Sequence, residues 1–205
     1  MKPLPAPGFR LLLLLPVLVA LAASAIDPYD RLTWLMEVLP VLLVLPLLAA
    51  TGQRFPLSRL LYALIAVHAL ILIGGGAYTY ARMPLGEWAK AAFELQRNPY
   101  DKLGHLAQGL VPALAVRELL LRHRLVAGRV LAAALAVCVA MAISAVYELI
   151  EWAAALALGQ GAEEFLGTQG DPWDTQSDMF MALIGSSLAV TVLARWHDRS
   201  MARIR

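Results

Sequence analysis

The stretch NPYDKLGHLAQGLVPALAVRELLLR, residues 98–122, begins as a polar turn and continues as a helix of membrane length. Asp101, Lys102 and His105 stand at its mouth. Asp101 and His105 are four residues apart, so they share a face that Gln108 continues. Ionisable groups entering lipid are costly unless they meet partners at the same depth. The reading of the chain therefore turns on what its other segments bring there.

The chain has 205 residues, 60% of them hydrophobic, and a mean hydropathy of +0.66. That is too apolar for an ordinary soluble domain. A hydrocarbon core of about 30 Å takes about 20 apolar residues per helix. Such windows fall at Phe9–Ile26, Leu32–Ala50, Leu57–Ala77, Leu103–Leu121, Val126–Leu158 and Met179–Trp196. The fold class they predict is all-α: a polytopic membrane helix bundle of about six transmembrane helices, forming a single integral membrane domain over residues 1–205. The fifth window is too long for one simple span and is expected to tilt or project. The first, LLLLLPVLVALAASA after Lys2 and Arg10, shares features with a signal peptide cleaved at Ala23-x-Ala25, and is read as a retained anchor. The lone cysteine, Cys138, has no internal disulfide partner and reads as a small core residue. No phosphate loop, Cys/His zinc pattern or nucleic-acid motif is visible. Membrane lipids are the expected partners, nucleic acid is not, and nothing in the sequence sets an oligomeric state.

The loops alternate in charge. Of the 17 Lys and Arg residues, all but Arg31, Arg82, Lys90, Arg97 and Lys102 fall on one side. The positive-inside rule assigns that side, and both termini, to the cytoplasm of a bacterial inner membrane. Asp27, Asp30, Glu87, Glu94, Asp101, Glu163, Glu164, Asp171 and Asp174 then lie on the extracytoplasmic side. Between the third and fourth windows, MPLGEWAKAAFELQRN (83–98) places Leu85, Trp88, Ala92 and Leu95 on one helical face and Glu87, Lys90, Glu94 and Arg97 on another. It predicts one extracytoplasmic interfacial helix, either a solvated connector or a lid.

Two further segments repeat the chemistry of residues 98–122. In SAVYELIEWAAAL (144–156), Glu148 and Glu151 are three apart, Ser144 and Tyr147 each precede one of them by a turn, and Trp152 reads as an interfacial anchor. In GTQGDPWDTQSDMF (167–180), Asp171, Asp174 and Asp178 share a face if a helix starts near Pro172. Each group has a structural explanation: Asp101 or Asp171 as a helix cap, Lys102 snorkelling, Glu148 and Glu151 paired with basic neighbours. Helix direction brings all three polar faces to the same end of the bundle. Acids gathered there with one histidine repel each other unless protons or a cation neutralise them. Glu37 reads as a bystander at similar depth, His68 as a packed core residue, and His123 and His197 as neighbours of cytoplasmic arginines. Gly74-Gly75-Gly76 reads as close packing or a helix break.

The segments YDKLGHLAQGLVPALAVRELLLR, SAVYELIEW and FLGTQGDPWDTQSDMFMALIG, all within about residues 98–196, resemble the YjdF-type family of bacterial inner-membrane proteins. The order Asp101, Lys102, His105, then Glu148 and Glu151, then Asp178 with Gly185 is more distantly similar to VanZ-like membrane proteins, which are associated with glycopeptide-antibiotic resistance. VanZ-like proteins often carry Gln and Asn where this chain has Glu151 and Ala182. The resemblance implies a membrane location and a shared motif set, and no reaction.

Oxygen-rich ligation with one imidazole suits Mg²⁺, Mn²⁺, Ca²⁺ or iron, with zinc an alternative. The leading expectation is a divalent-metal site built from Asp101, His105, Asp174 and Asp178. Glu148 or Glu151 would serve as a further ligand or as general base for a metal-activated water, acting on a lipid or lipid-linked envelope substrate. The alternatives are a proton- or cation-coupled transporter or binding protein, and a structural polar cluster that fixes helix register.

Overall fold

The computed structural model describes residues 7–158 and 169–204; Glu163, Glu164 and the 165–168 part of the third motif lie outside them. Among the described residues the chain is helical throughout: α1 (Pro7–Ser24), α2 (Arg31–Thr51), α3 (Arg59–Tyr78), a 3₁₀ turn (Tyr80–Arg82), α4 (Pro84–Ala92), α5 (Tyr100–Arg122), α6 (Arg129–Leu158), α7 (Asp174–Val190) and α8 (Ala194–Ala202). Local chemistry sets the starts of two spans. The Asp30 side chain accepts the Thr33 N–H at 2.7 Å before α2, and Ser58 accepts that of Leu61 before α3. The Thr33 N–H holds the Asp30 carboxyl below its ordinary range.

By length and apolarity α2, α3 and α6 qualify as membrane spans, and α7 with α8 adds a fourth if that pair, bent by 53°, counts as one broken span. The expected sixth window thus breaks after Val190, and α8 leaves the axis as a separate polar helix that buries His197. α1 is apolar but short, at 18 residues. α6 has 30 residues, about 45 Å at 1.5 Å per residue, longer than the hydrocarbon core is thick. Cys138 is exposed on α6 instead of packed in the core, a correction to its sequence reading.

α5 explains the shortfall in apolar spans. Asp101, His105, Gln108, Arg117 and Glu118 are all buried, because α5 is the central helix and packs on α3, α6 and α7. It touches protein where its neighbours touch lipid, so its composition is that of a polar core.

The α5–α7 contact is the tightest in the bundle. A Cβ on Gly109 would lie well inside contact distance of the Ala182 carbonyl, and one on Gly185 would do the same to the Leu106 carbonyl. Two missing side chains therefore let the backbones meet. The helices run in the same direction, so pairing Gly109 with Ala182 also pairs His105 with Asp178 and Asp101 with Asp174.

At the basic end a second polar network locks α8 down. Glu118, fully buried, accepts the Ser58 N–H at 2.9 Å and the Arg122 guanidinium at 2.6 Å, while its other oxygen faces His197 Nε2 at 2.9 Å. Arg117 donates to Asp198 at 2.8 Å and faces His197 Nδ1 at 3.1 Å. With Arg117 as the donor to Nδ1, the imidazole proton sits on Nε2 and goes to Glu118. Every group is matched, so this is a clasp. Glu118→Ala should destabilise the protein by about 3–5 kcal/mol, the usual effect of removing one partner from a buried ionic set. Denaturant titration in detergent measures it; a loss below about 1 kcal/mol would contradict the clasp.

Candidate functional site

The acidic end of the bundle is assembled from the first turns of α5 and α7 and the last turns of α6. Asp101, His105 and Asp178 are all buried, and each offers a ligand atom lying within 4.8 Å of the other two. His105 Nε2 stands 3.4 Å from Asp101 Oδ1 and 3.8 Å from Asp178 Oδ1. Its Nδ1 faces Gln108 Oε1 at 3.0 Å and Glu148 Oε1 at 3.7 Å. Gln108 Oε1 can only accept, so Nδ1 carries a proton and Nε2 is the nitrogen that faces the two aspartates, donating to them when the ring is protonated and offering a lone pair when it is not. Among the described residues, Asp101 Oδ2, Glu148 Oε1 and Ser144 Oγ are buried with no hydrogen-bond partner. Such atoms normally find one.

Two cations border this group. Lys102 Nζ lies 2.6 Å from Asp178 Oδ1 and 3.0 Å from Asp174 Oδ1. Arg97 sits 2.5 Å from Asp174, 3.3 Å from Asp171 and 3.7 Å from Asp101. Burial pulls the Arg97 guanidinium down, but its hydrogen bond to Asp174 and the surrounding carboxylates outweigh this and raise it overall. Asp174 is thus held by Arg97 and Lys102, outside the tight Asp101–His105–Asp178 group. Asp171 accepts the Trp173 N–H at 2.9 Å and stands before α7, whose first residue is Asp174. Asp101 caps nothing; α5 begins at Tyr100, whose N–H goes to Asn98 at 3.0 Å.

The helix expected over residues 83–98 is shorter. α4 ends at Ala92, and Glu94 turns with φ 52°, so Leu95 and Arg97 leave the helical register. Arg97 is freed to reach the acids. Glu87 accepts from the Asn98 amide at 2.9 Å, and Gly86 is packed so closely on Asn98 that a Cβ has no room. Leu85 and Trp88 remain exposed, as an interfacial helix requires.

Glu151 sits one turn beyond Glu148 and lines a cavity of about 580 Å³ between α2, α3, α5 and α6 that Asp101 and His105 also reach. Its polar end also carries Glu37, Tyr80, Tyr147, Asp101 and His105, and His68 lies in its wall. Glu37 is therefore a lining residue, and Tyr147 lies 3.4 Å from both its carboxylate and the Met36 carbonyl. Pro40 has no N–H to offer that carbonyl, and so leaves it for the phenol. The three glycines 74–76 serve close packing: Gly74 faces Tyr100, Gly75 the ring of Tyr80, and Gly76 the side chain of Glu37.

Residues 9–199 match the model of a family described as "Predicted membrane protein (DUF2238)". The chain belongs to that family. It is 58% identical over 189 residues to the Escherichia coli (strain K12) protein named "Inner membrane protein YjdF", covering 92% of this chain and 90% of that relative. No solved structure matches. The family match runs from α1 into α8, so every helix that supplies a residue to the acidic end lies within it.

Proposed function

We propose that this is an inner-membrane protein whose acidic end faces the extracytoplasmic side and holds a divalent cation, used in chemistry on a lipid or lipid-linked substrate of the cell envelope. The observation that carries the reading is the buried Asp101–His105–Asp178 group, where one oxygen of Asp101 and one of the neighbouring Glu148 have no hydrogen-bond partner among the described residues. Two carboxylates and an imidazole suit Mg²⁺, Mn²⁺, Ca²⁺, iron or zinc. A cation held there supplies a polarised water of lowered pKa. Gln108 fixes the His105 tautomer, and Glu148, beside His105 at 3.7 Å, is placed to take a proton. Glu151, in the adjoining cavity wall, serves as a second base or ligand. Asp174 would have a supporting part, keeping a carboxylate on Lys102 were Asp178 engaged by a cation.

The closeness of Lys102 to Asp178 favours a second reading, in which the acids, Arg97 and Lys102 form a resident ion network that fixes register and binds no metal. A metal titration of the purified protein by calorimetry tests between them. Saturable binding that His105→Ala removes supports the first reading, and no heat with any of the five cations supports the second.

The loop charges support a cytoplasmic side for both termini. Alkaline phosphatase fused after Asn98 should be active and fused after Arg129 inactive. The reverse pattern would put the site on the cytoplasmic face and remove the case for an extracytoplasmic substrate.

A further inference from the structure

The polar groups at the acidic end occupy only one end of the cavity. Most of its wall is aliphatic, including Val44, Ile65 and Ala115, and its basic end is closed by Phe55 stacked on His123 with ring centres 4.6 Å apart. On α2 the lining runs from Glu37 to Thr51. That is about 21 Å of helix at 1.5 Å per residue, more than the roughly 15 Å depth of one leaflet. The volume lies within the range of sites for elongated small molecules, about 300–1,000 Å³.

The cavity is also open sideways. α2 packs on α3 but stands off α5 and α6, which leaves Leu47 of α2 (58% exposed) and Ile143 of α6 (41% exposed) on either side of a gap. In a membrane that gap faces hydrocarbon. Water is a poor occupant of so apolar a bore, and an empty one forfeits dispersion contacts along its whole wall. A second cavity, between α1 and the α2–α3 pair, has walls as apolar but lacks carboxylates and imidazoles.

We propose that the cavity between α2, α3, α5 and α6 holds one acyl chain of a membrane phospholipid, admitted sideways between Leu47 and Ile143, with the headgroup at the Asp101–His105 end. The position of the headgroup rests on the site reading above, and the binding of the chain does not. The chain fills a volume that side chains leave open. It gains little from leaving lipid for protein, since both are apolar, so selectivity comes from fit within the bore and from the carboxylates gathered at one end. Tyr147, bonded across the gap to Glu37 and Met36, marks the point where chain gives way to headgroup.

The full chain in nanodiscs of phosphatidylethanolamine and phosphatidylglycerol, doped with a phospholipid carrying a diazirine on one acyl chain, should show two kinds of adduct after irradiation. One kind falls on the lipid-facing leucines of α1, Leu12 and Leu15, which are 70% and 64% exposed. The other falls on cavity-wall residues such as Val44, Ile65 and Ala115. Ala115→Trp fills the bore and should cut the Val44 and Ile65 adducts at least about tenfold while leaving the α1 adducts unchanged. Val44→Trp, entering from the opposite wall, repeats the test on Ile65 and Ala115 should the first variant misfold. Asp178→Asn should leave cavity adducts intact; their persistence in a protein that binds no metal would remove the site reading and keep the chain. Wild-type adducts confined to the outside, or wall adducts undiminished in a tryptophan variant that melts like wild type, would overturn the proposal.

Discussion

Gly109→Leu and Gly185→Leu should each abolish the folded bundle, with little protein recovered from the membrane in a monodisperse state. The reason lies in what each side chain would strike. A flexible neighbour can rotate away from an added methyl, but Gly109 faces the Ala182 carbonyl and Gly185 the Leu106 carbonyl, both parts of helix backbone. The only relief is for α5 and α7 to separate. Overpacking a core commonly costs about 1–3 kcal/mol, and this case belongs above that range because the largest helix–helix contact is lost with it. Gly8→Leu, which meets no atom within 4 Å, is the matched control and should behave as wild type. Gly109→Ala gives the graded result: a folded protein in which His105 and Asp178 are pushed apart, so that metal binding weakens before stability fails. Size-exclusion profiles and melting curves in detergent decide the matter. A monodisperse Gly109→Leu protein melting within about 2 °C of wild type would contradict the packing described for α5 and α7.

The second large effect concerns the occupant of the acidic end. A cation present at about 100 times its Kd stabilises the state that binds it by about 2.7 kcal/mol, which for a chain of this size corresponds to about 5–10 °C. Chelator should remove that increment from wild type. Asp178→Asn keeps size and hydrogen bonding but deletes an anionic ligand, and Glu148→Gln removes a neighbouring carboxylate, so both should be indifferent to chelator. If the acids serve only as an ion network with Arg97 and Lys102, the outcomes invert. Wild type would then ignore chelator, and Glu148→Gln, which relieves repulsion and gives up only a 3.7 Å contact to His105, would melt higher than wild type.

The helices and the polar end were legible in the sequence because both follow from period and spacing. Apolar windows gave the long helices, and acids at i, i+3 and i+4 gave the faces of α5, α6 and α7. Apolar windows do not tell a lipid-facing span from a buried one, and so by that measure α5 looks like α2, α3 and α6 although it forms the polar core. Local helix periodicity also extended α4 through Arg97, hiding the residue that ties Asp101, Asp171 and Asp174 together. The one available warning was the Asn98-Pro99 pair, which favours a break before α5. His197 reads as a neighbour of cytoplasmic arginines, and Glu118 carries no signal at all, because their pairing depends on the bend after Val190, a tertiary feature with no spacing signature. Glu37 and Tyr147 were obscured for a similar reason: the carbonyl freed by Pro40 matters only once α6 lies across the gap from it. Gly185 belongs to a sequence motif, but its packing role appears only where Leu106 faces it across the helix contact.

The central claim is that Asp101, His105 and Asp178 hold a metal ion, and the most direct test is the metal content of the purified full-length protein. Elemental analysis after incubation with each candidate cation and removal of the excess should find one divalent ion per chain in wild type and less than about a tenth of that in Asp178→Asn. Equal metal in the two proteins, or none in wild type with any of Mg²⁺, Mn²⁺, Ca²⁺, iron or zinc, would contradict it.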